Sequence, residues 1–109
     1  MAIEIKNETD QSADLYLSGS IIDDDMGDII DEWCDNSTGY QWPEKIKSQL
    51  ESLKGKALTI YINSDGGSVP AGVAMANMIA RHDAPTTAIV DGWCCSIATQ
   101  IFCAADRRQ

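Results

Sequence analysis

Three short apolar segments of the chain have the residue pattern of β-strands. Within residues 13–22, Leu15 and Leu17 are separated by one residue, so their side chains fall on the same face of an extended segment. Residues 57–62 (ALTIYI) and 86–90 (TTAIV) are rich in β-branched and aromatic side chains, which favour strands. The sequence therefore predicts three strands at these places.

Helical spacing of apolar residues appears between these strands. Residues 42–54 place Pro43 in a first turn, and Gly55 is expected to end the helix. The apolar stripe of this helix is expected to be Ile46, Leu50 and Leu53. A second helix is predicted over residues 69–81. Its expected apolar stripe is Val69, Val73, Ala76 and Ala80.

A third helix is expected from about Ser96 to Ala105, after a turn at residues 91–93. Strands and helices then alternate along the chain, which indicates an α/β fold with a parallel sheet and right-handed crossovers. A length of 109 residues is enough for one domain, residues 1–109, and too short for two.

The charge of the chain is strongly acidic and uneven. The formal net charge is -9, which argues against a nucleic-acid partner because phosphate binding needs a basic surface. Residues 1–35 hold eleven of the seventeen acidic residues, with Asp23, Asp24 and Asp25 the densest part. Their order lacks the alternating ligands of a calcium loop, so we expect residues 23–40 to form a solvated acidic connection.

Other features argue against a membrane, a metal and a disulfide framework. No apolar run approaches the ~20 residues of a membrane helix, and the first residues do not resemble a signal peptide, so a cytoplasmic protein is expected. The spacing of Cys34, Cys94, Cys95 and Cys103 favours free thiols in apolar surroundings. The single histidine, His82, cannot complete a zinc site with them, and no cofactor is implied.

Two strand-to-helix turns carry the candidate chemistry, and both are expected at the carboxyl edge of the sheet, where α/β folds bind ligands. Gly66 and Gly67 open a helix and could present amides to an anion, although a plain tight turn explains a glycine pair equally well. Ser96 is either a nucleophile or an N-cap, and Cys95 competes as a nucleophile. No G-x-S-x-G elbow is present.

Together the two turns resemble the Clp protease family. Residues 61–69 (YINSDGGSV), the Ala71-Gly72 pair and residues 92–98 (GWCCSIA) match that family's YINSPGG-type loop, helix and nucleophile turn in order and spacing. Residues 15–21 (LYLSGSI) are similar to its first strand. The resemblance implies a parallel sheet of the kind found in Clp proteases and crotonases, incomplete at the C-terminus, and a serine endopeptidase acting on protein or peptide substrates as a homo-oligomer.

The resemblance also implies roles for individual residues. Ser96 matches the nucleophile, and the amides of Gly67 and Ile97 match the oxyanion hole. The segment of Gly66, Ser68 and Val69 matches the strand that binds substrate. Asp65 stands where the family has a proline, and together with the acidic segment it resembles phage head-maturation proteases, which implies capsid or scaffold substrates and a phage product in a bacterial host.

The histidine and aspartate of the family lie beyond its serine, and only thirteen residues follow Ser96. We expect His82 and Asp106 to be structural and the chain as given to be inactive. Three alternatives remain. They are a non-catalytic oligomerisation module with exposed apolar surface around Trp93, Ile101 and Phe102, a signal-peptide-peptidase-like protein, and a crotonase-like acyl-CoA protein.

Overall fold

The predicted alternation of strands and helices is present in the fold. The structure is a computed structural model that describes residues 5–33 and 39–109. In chain order the elements are β1 (Ile5–Lys6), β2 (Ser12–Ser18), β3 (Ser20–Ile21), α1 (Asp24–Trp33), β4 (Tyr40–Gln41), α2 (Pro43–Ser52), β5 (Ala57–Ser64), α3 (Val69–Ala80), β6 (Thr86–Cys94), α4 (Ala98–Ala104) and β7 (Arg107–Arg108).

The main sheet has the strand order β1-β2-β5-β6-β7. The strands from β2 to β7 are parallel, and β1 adds an antiparallel edge. Ile60 of the central strand β5 lies opposite Leu15 on one side and Ala88 on the other. The predicted α/β fold with a mostly parallel sheet is therefore confirmed. The edge strand β1 and the short β7 were not expected, because two residues give no readable pattern.

The hydrophobic core lies between one face of the sheet and three helices. Buried and half-exposed positions alternate along β2 and β5, so one face of each strand is covered. The buried residues of the sheet include Leu15, Leu17, Leu58, Ile60, Ile62 and Ala88. The helices α2, α3 and α4 add Ile46, Leu50, Ala71, Met75, Ala76, Ile79, Ala98 and Ile101, and Leu53 follows directly after α2. The stripe expected in the first predicted helix is thus confirmed.

The prediction of a loop through the acidic segment was wrong. Residues 24–33 form the helix α1, and Tyr40–Gln41 form a strand that pairs with β3. The Asp23 carboxylate accepts a hydrogen bond from the Met26 amide at 2.8 Å, which is the bond of an N-cap. The many acidic residues obscured a helical repeat of apolar residues, which consists of Met26, Ile29, Ile30 and Trp33. Residues 34–38, which include Cys34, lie outside the described residues.

The stripe predicted for the second helix was also wrong. In α3 the buried residues are Ala71, Gly72, Met75, Ala76 and Ile79, whereas Val69 and Val73 are exposed. A Cβ at Gly72 would lie 2.3 Å from Ile97 Cγ1, so α3 presents its glycine side to the start of α4. This helix is apolar on most sides, so its sequence period fits more than one buried face.

Two element boundaries and the exposure of two side chains near the end of the chain also differ from expectation. The residues predicted as a turn, 91–93, are the last part of β6. The following helix begins at Ala98, two residues later than predicted. Trp93 is exposed as expected, but Ile101 is buried in the core and Phe102 is half-buried against it.

Across the described ranges 5–33 and 39–109, no helix has both the length and the apolarity that crossing a bilayer requires. The same ranges contain no group of three or more histidine, cysteine, aspartate or glutamate side chains arranged to hold a metal ion.

Candidate active site

The carboxyl ends of β5 and β6 lie together, and the turns that follow them form one site. Cys94 is paired with Ser64, and the Cys95 amide donates a hydrogen bond to the Ser64 carbonyl at 3.1 Å. The Trp93 amide donates to Oδ1 of Asn63 at 2.9 Å. These bonds hold residues 65–68 beside residues 95–97, as the sequence predicted for two turns at the same edge of the sheet.

The glycine turn has backbone geometry that requires glycine. Gly66 has φ +99° and Gly67 has φ +144°, both in the range that side-chain-bearing residues rarely adopt. The Ile21 amide donates to the Gly66 carbonyl at 2.9 Å, and the Ser68 amide donates to the Ile21 carbonyl at 2.9 Å. Because successive groups of an extended backbone alternate in direction, this pairing turns the Gly67 amide away from Ile21. The turn therefore reverses the chain and also directs the Gly67 amide away from Ile21.

Ser96 is held in a left-handed backbone conformation. Its φ is +53°, and the only other non-glycine residue of the described chain with positive φ is Asn7. Such strain persists only where the surrounding structure fixes it, and it is frequent at functional sites. Ser96 is not an N-cap, because α4 begins at Ala98 after Ile97 and no side chain caps it. The N-cap interpretation of Ser96 therefore does not describe the structure.

The two turns touch at Ser96. A Cβ placed on Gly66 would lie 2.8 Å from Ser96 Cβ and 3.4 Å from its Oγ, so the serine side chain rests directly on the glycine backbone. Ser96 is exposed, and its Oγ makes no hydrogen bond with residues 5–33 or 39–109. Only glycine at position 66 leaves room for this side chain.

Two backbone amides near Ser96 carry no hydrogen bond to the described part of the chain. They belong to Gly67, next to the residue that supports Ser96, and to Ile97, which precedes the first turn of α4. Exposed amides at a helix start can stabilise negative charge on an oxygen. The arrangement therefore places a serine hydroxyl beside two backbone amides that can donate hydrogen bonds, and preorganised donors of this kind can stabilise an oxyanion.

Neither His82 nor Asp106 lies near Ser96. Nε2 of His82 is 2.7 Å from the carbonyl oxygen of Lys56, which precedes β5, whereas Ser96 lies beyond the other end of that strand. A carboxylate oxygen of Asp106 accepts from the Thr86 amide at 3.0 Å, and the Asp106 amide donates to the Thr86 hydroxyl at 2.9 Å. Both residues tie elements together at the amino end of the sheet.

A comparison with models of protein families identifies the family of this chain. The model described as Clp protease matches residues 35–109, well over half of the chain.

The chain belongs to the Clp protease family. The match begins at residue 35, so β2, β3 and α1 lie outside it. Within it lie both turns of the site.

Solved Clp protease structures share the fold. A ClpP1 mutant from Listeria monocytogenes is 26% identical with a TM-score of 0.63, and the match covers 84% of this chain and 46% of that one. The ClpP protease catalytic domain from Plasmodium falciparum is 20% identical with a TM-score of 0.57, covering 85% of this chain and 45% of that one. The chain therefore spans a little under half the length of these Clp proteases.

The sequence analysis gave no individual role to three residues that shape this site, although the matched segments contain Ile21, Asn63 and Gly92. Asn63 clamps the end of β6 through Trp93, and a Cβ at Gly92 would lie 2.4 Å from its Oδ1. Ile21 clamps the glycine turn. The glycine at position 92 was a readable signal of a close approach, but its partner Asn63 is 29 residues earlier in the chain.

The cysteines before Ser96 differ in their surroundings. Cys94 and Cys95 are half-buried, and Cys103 is exposed. Burial is the main cause that raises the pKa of the Cys94 thiol, and the nearby thiols of Cys95 and Cys103 add to it. At a given pH, a raised pKa leaves less of the reactive thiolate form.

We expect a maleimide or iodoacetamide to modify Cys103 before Cys94 at pH 7. Exposure favours Cys103, and the raised pKa of Cys94 lowers its thiolate fraction. Because the pKa is raised, the rate at Cys94 should keep increasing as pH rises above the ordinary thiol value. Peptide mapping after timed labelling checks this order, and Cys94 reacting first would contradict it.

Proposed function

We propose that this chain carries the nucleophile and oxyanion hole of a Clp-type serine endopeptidase. Ser96 is the nucleophile, and the amides of Gly67 and Ile97 hold the oxyanion. The observation that carries the proposal is the left-handed Ser96, which rests on Gly66 beside two amides that make no hydrogen bond to residues 5–33 or 39–109. Family membership supports this chemistry over the signal-peptide-peptidase-like and crotonase-like alternatives.

In the proposed reaction, Ser96 Oγ attacks the carbonyl carbon of the scissile peptide bond and loses its proton to a general base. The carbonyl oxygen becomes an oxyanion, and the two amides stabilise it. The carbon–nitrogen bond then breaks, the amine leaves with a proton from the same base, and an acyl-enzyme remains on Ser96. Attack by water releases the acid and restores the serine. Losing one oxyanion donor costs about 10²–10³ in rate.

An extended peptide is proposed to lie along Gly66, Ser68 and Val69. Ile21 occupies one edge of this segment, and Val69 is exposed. The edge opposite Ile21 offers the Gly67 backbone to a strand-like substrate, which is the pattern of β-strand addition. The motif variants and the acidic segment support capsid or scaffold proteins of a phage as the substrates, with the protein acting as an oligomer in the cytoplasm of a bacterial host.

A general base for Ser96 is missing from the described residues. Its hydroxyl has no hydrogen-bond partner there, and the only histidine of the chain bonds to Lys56 at the far end of β5. An unactivated serine is a weak nucleophile. We therefore propose that these 109 residues do not hydrolyse peptides by themselves.

Labelling with a fluorophosphonate, followed by intact-mass measurement, tests both parts of the proposal. The 109-residue chain should stay unlabelled. Any longer product of its reading frame that supplies the base should gain one adduct, which disappears in Ser96→Ala. The matched control is Cys95→Ala, which removes the neighbouring nucleophile and should keep the adduct.

An adduct that persists in Ser96→Ala would contradict the assignment of the nucleophile. A folded longer product that stays unlabelled would favour the second candidate, a non-catalytic oligomerisation module. The observation that favours this candidate is the missing base beside Ser96. Labelling of the 109-residue chain itself would contradict the proposed inactivity.

A further inference from the structure

The two turns of the candidate site carry carboxylates and no cationic side chain. Asp65 directly follows β5, and Asp91 lies in the last part of β6. Both side chains are exposed. Residues 63–69 and 91–97 contain none of the eight Lys and Arg residues of the chain. The two turns therefore present charge of one sign.

Most of the basic side chains lie at the opposite edge of the sheet. Lys54 and Lys56 precede β5, and Arg81 follows α3. Arg107 and Arg108 form β7, which pairs with the first part of β6. Because the strands from β2 to β7 are parallel, these positions all belong to the amino ends of the strands. A cation that approaches the carboxyl edge therefore meets a negative potential.

Asp65 is held in place by the segment that also clamps the glycine turn. Its carboxylate accepts a hydrogen bond from the Ser20 hydroxyl at 3.2 Å. Ser20 belongs to β3, and the next residue, Ile21, pairs with the glycine turn. A carboxylate that is already oriented loses less side-chain entropy when it binds a cation. The position of Asp65 is therefore suited to recognising a charged side chain.

Asp65 also lies within side-chain reach of the place where a substrate would be cleaved. It is two residues before Gly67, whose amide is proposed to bind the oxygen of the scissile carbonyl. Two residues of extended chain span at most about 7 Å. In a substrate strand paired with this turn, a side chain two residues from the scissile carbonyl therefore lies near Asp65.

From these observations we infer that the site selects peptides with a Lys or Arg side chain within two residues of the cleaved bond, and that Asp65 recognises the cation. This inference rests on the proposed function, because it names the substrate class of that site. The guanidinium of Arg can donate two parallel hydrogen bonds to a carboxylate, and the ammonium of Lys pairs with it as a point charge. Asp91 adds to the negative potential at the same edge.

The start of α3 has the opposite electrostatic effect on the same turn. Val69 is the first residue of this helix, and the amides of a helix start act like about half a positive charge. The Ser68 hydroxyl accepts a hydrogen bond from the Ala71 amide at 3.3 Å, which satisfies one of them. The effect is confined to the first turn of the helix, whereas Asp65 carries a full charge two residues before Gly67. The helix start therefore favours the oxyanion, and Asp65 favours a cation next to it.

Two peptides that differ only in charge test this inference on the 109-residue chain. Both are nine residues long and rich in Thr and Val. Two positions before and after the central residue, one peptide carries Arg and the other carries its uncharged analogue citrulline. Titration of the ¹⁵N-labelled chain, followed through the amide resonances of Gly67 and Val69, measures each Kd at the site. The Arg peptide should bind about fivefold more tightly, the upper range for an exposed ion pair, and added salt should reduce this ratio.

Two matched variants show whether Asp65 is responsible for the preference. Asp65→Asn removes the charge but keeps an oxygen that can accept from Ser20, so the ratio of the two Kd values should fall below about twofold. The control is Asp10→Asn, which removes the same charge from an exposed residue before β2, at the amino edge of the sheet. This control should keep the fivefold ratio. An equal loss in both variants would mean that only the net charge of -9 attracts the peptide, and it would overturn the inference.

Equal affinity for the two peptides, or resonances of Gly67 and Val69 that do not shift, would also overturn the inference. These outcomes are separate from the role of Ser96, which fluorophosphonate labelling tests. Labelling of Ser96 without a charge preference would leave the proposed chemistry in place and refute only this substrate class. A charge preference without labelling would refute the proposed chemistry and support the recognition of cations by Asp65.

Discussion

Replacing Gly67 by alanine is expected to lower the free energy of unfolding by about 2 to 6 kcal/mol. The new Cβ would lie 2.1 Å from the Ile21 carbonyl oxygen, which is backbone and cannot rotate away. Gly67 also has φ +144°, where a side chain costs about 1–3 kcal/mol of strain, and forced overpacking adds a similar amount. Relief requires the turn to leave Ile21, which breaks the bonds that orient the proposed oxyanion amide.

Gly55→Ala is the matched control for this substitution. Gly55 has φ +80°, but a Cβ there would meet nothing within 4 Å. Its expected cost is therefore conformational strain alone, about 1 to 2 kcal/mol. Urea unfolding of both variants, with the slope checked for constancy, measures the difference. Equal losses would show that Ile21 does not clamp the turn.

The sequence was sufficient to predict the elements that build the site, because their signals lie within short segments of the chain. The β-branched segments of β5 and β6 and the glycines at 66 and 67 are short-range signals. Because parallel strands end at one edge of a sheet, these signals also predict that the two turns meet. The motif pair at residues 61–69 and 92–98 then indicates the family, which the family match confirms.

What the sequence could not show depends on contacts between distant residues. The left-handed conformation of Ser96 follows from its packing on Gly66 and from the Cys95–Ser64 bond, and no local pattern encodes either. The orientation of α3 is fixed by the meeting of Gly72 and Ile97. In α1 the apolar repeat was readable, but high acidity drew attention to charge. The sequence could not show that Met26, Ile29 and Trp33 are exposed, because their exposure depends on which side of α1 packs against the rest of the fold.

The packing of α1 on Trp42 and the hydrogen bonds of Ile21 to the glycine turn both come from one segment of the chain. Both lie in the connection between β2 and α2, whose described residues, 19–33 and 39–42, include β3, α1 and β4. β3 in this connection bridges to Gly67, and the α1 that follows it packs against Trp42 at the start of α2. A single connection thus contacts the turn proposed to hold the oxyanion and also carries α1.

Ile60→Ala is expected to cost about 2 to 5 kcal/mol of unfolding free energy, the typical range for truncating a buried isoleucine. Ile60 is 1% exposed in the central strand and faces the helical layer, so its loss leaves a cavity that neighbouring strands cannot close. The same substitution at Ile89, a half-buried neighbour in β6 with the opposite orientation, should cost less than about 1 kcal/mol, because only strand preference and partial burial are lost. Denaturant midpoints of the two variants measure the difference in their unfolding free energies. A loss at Ile89 as large as that at Ile60 would mean that the second face of the sheet is covered as well.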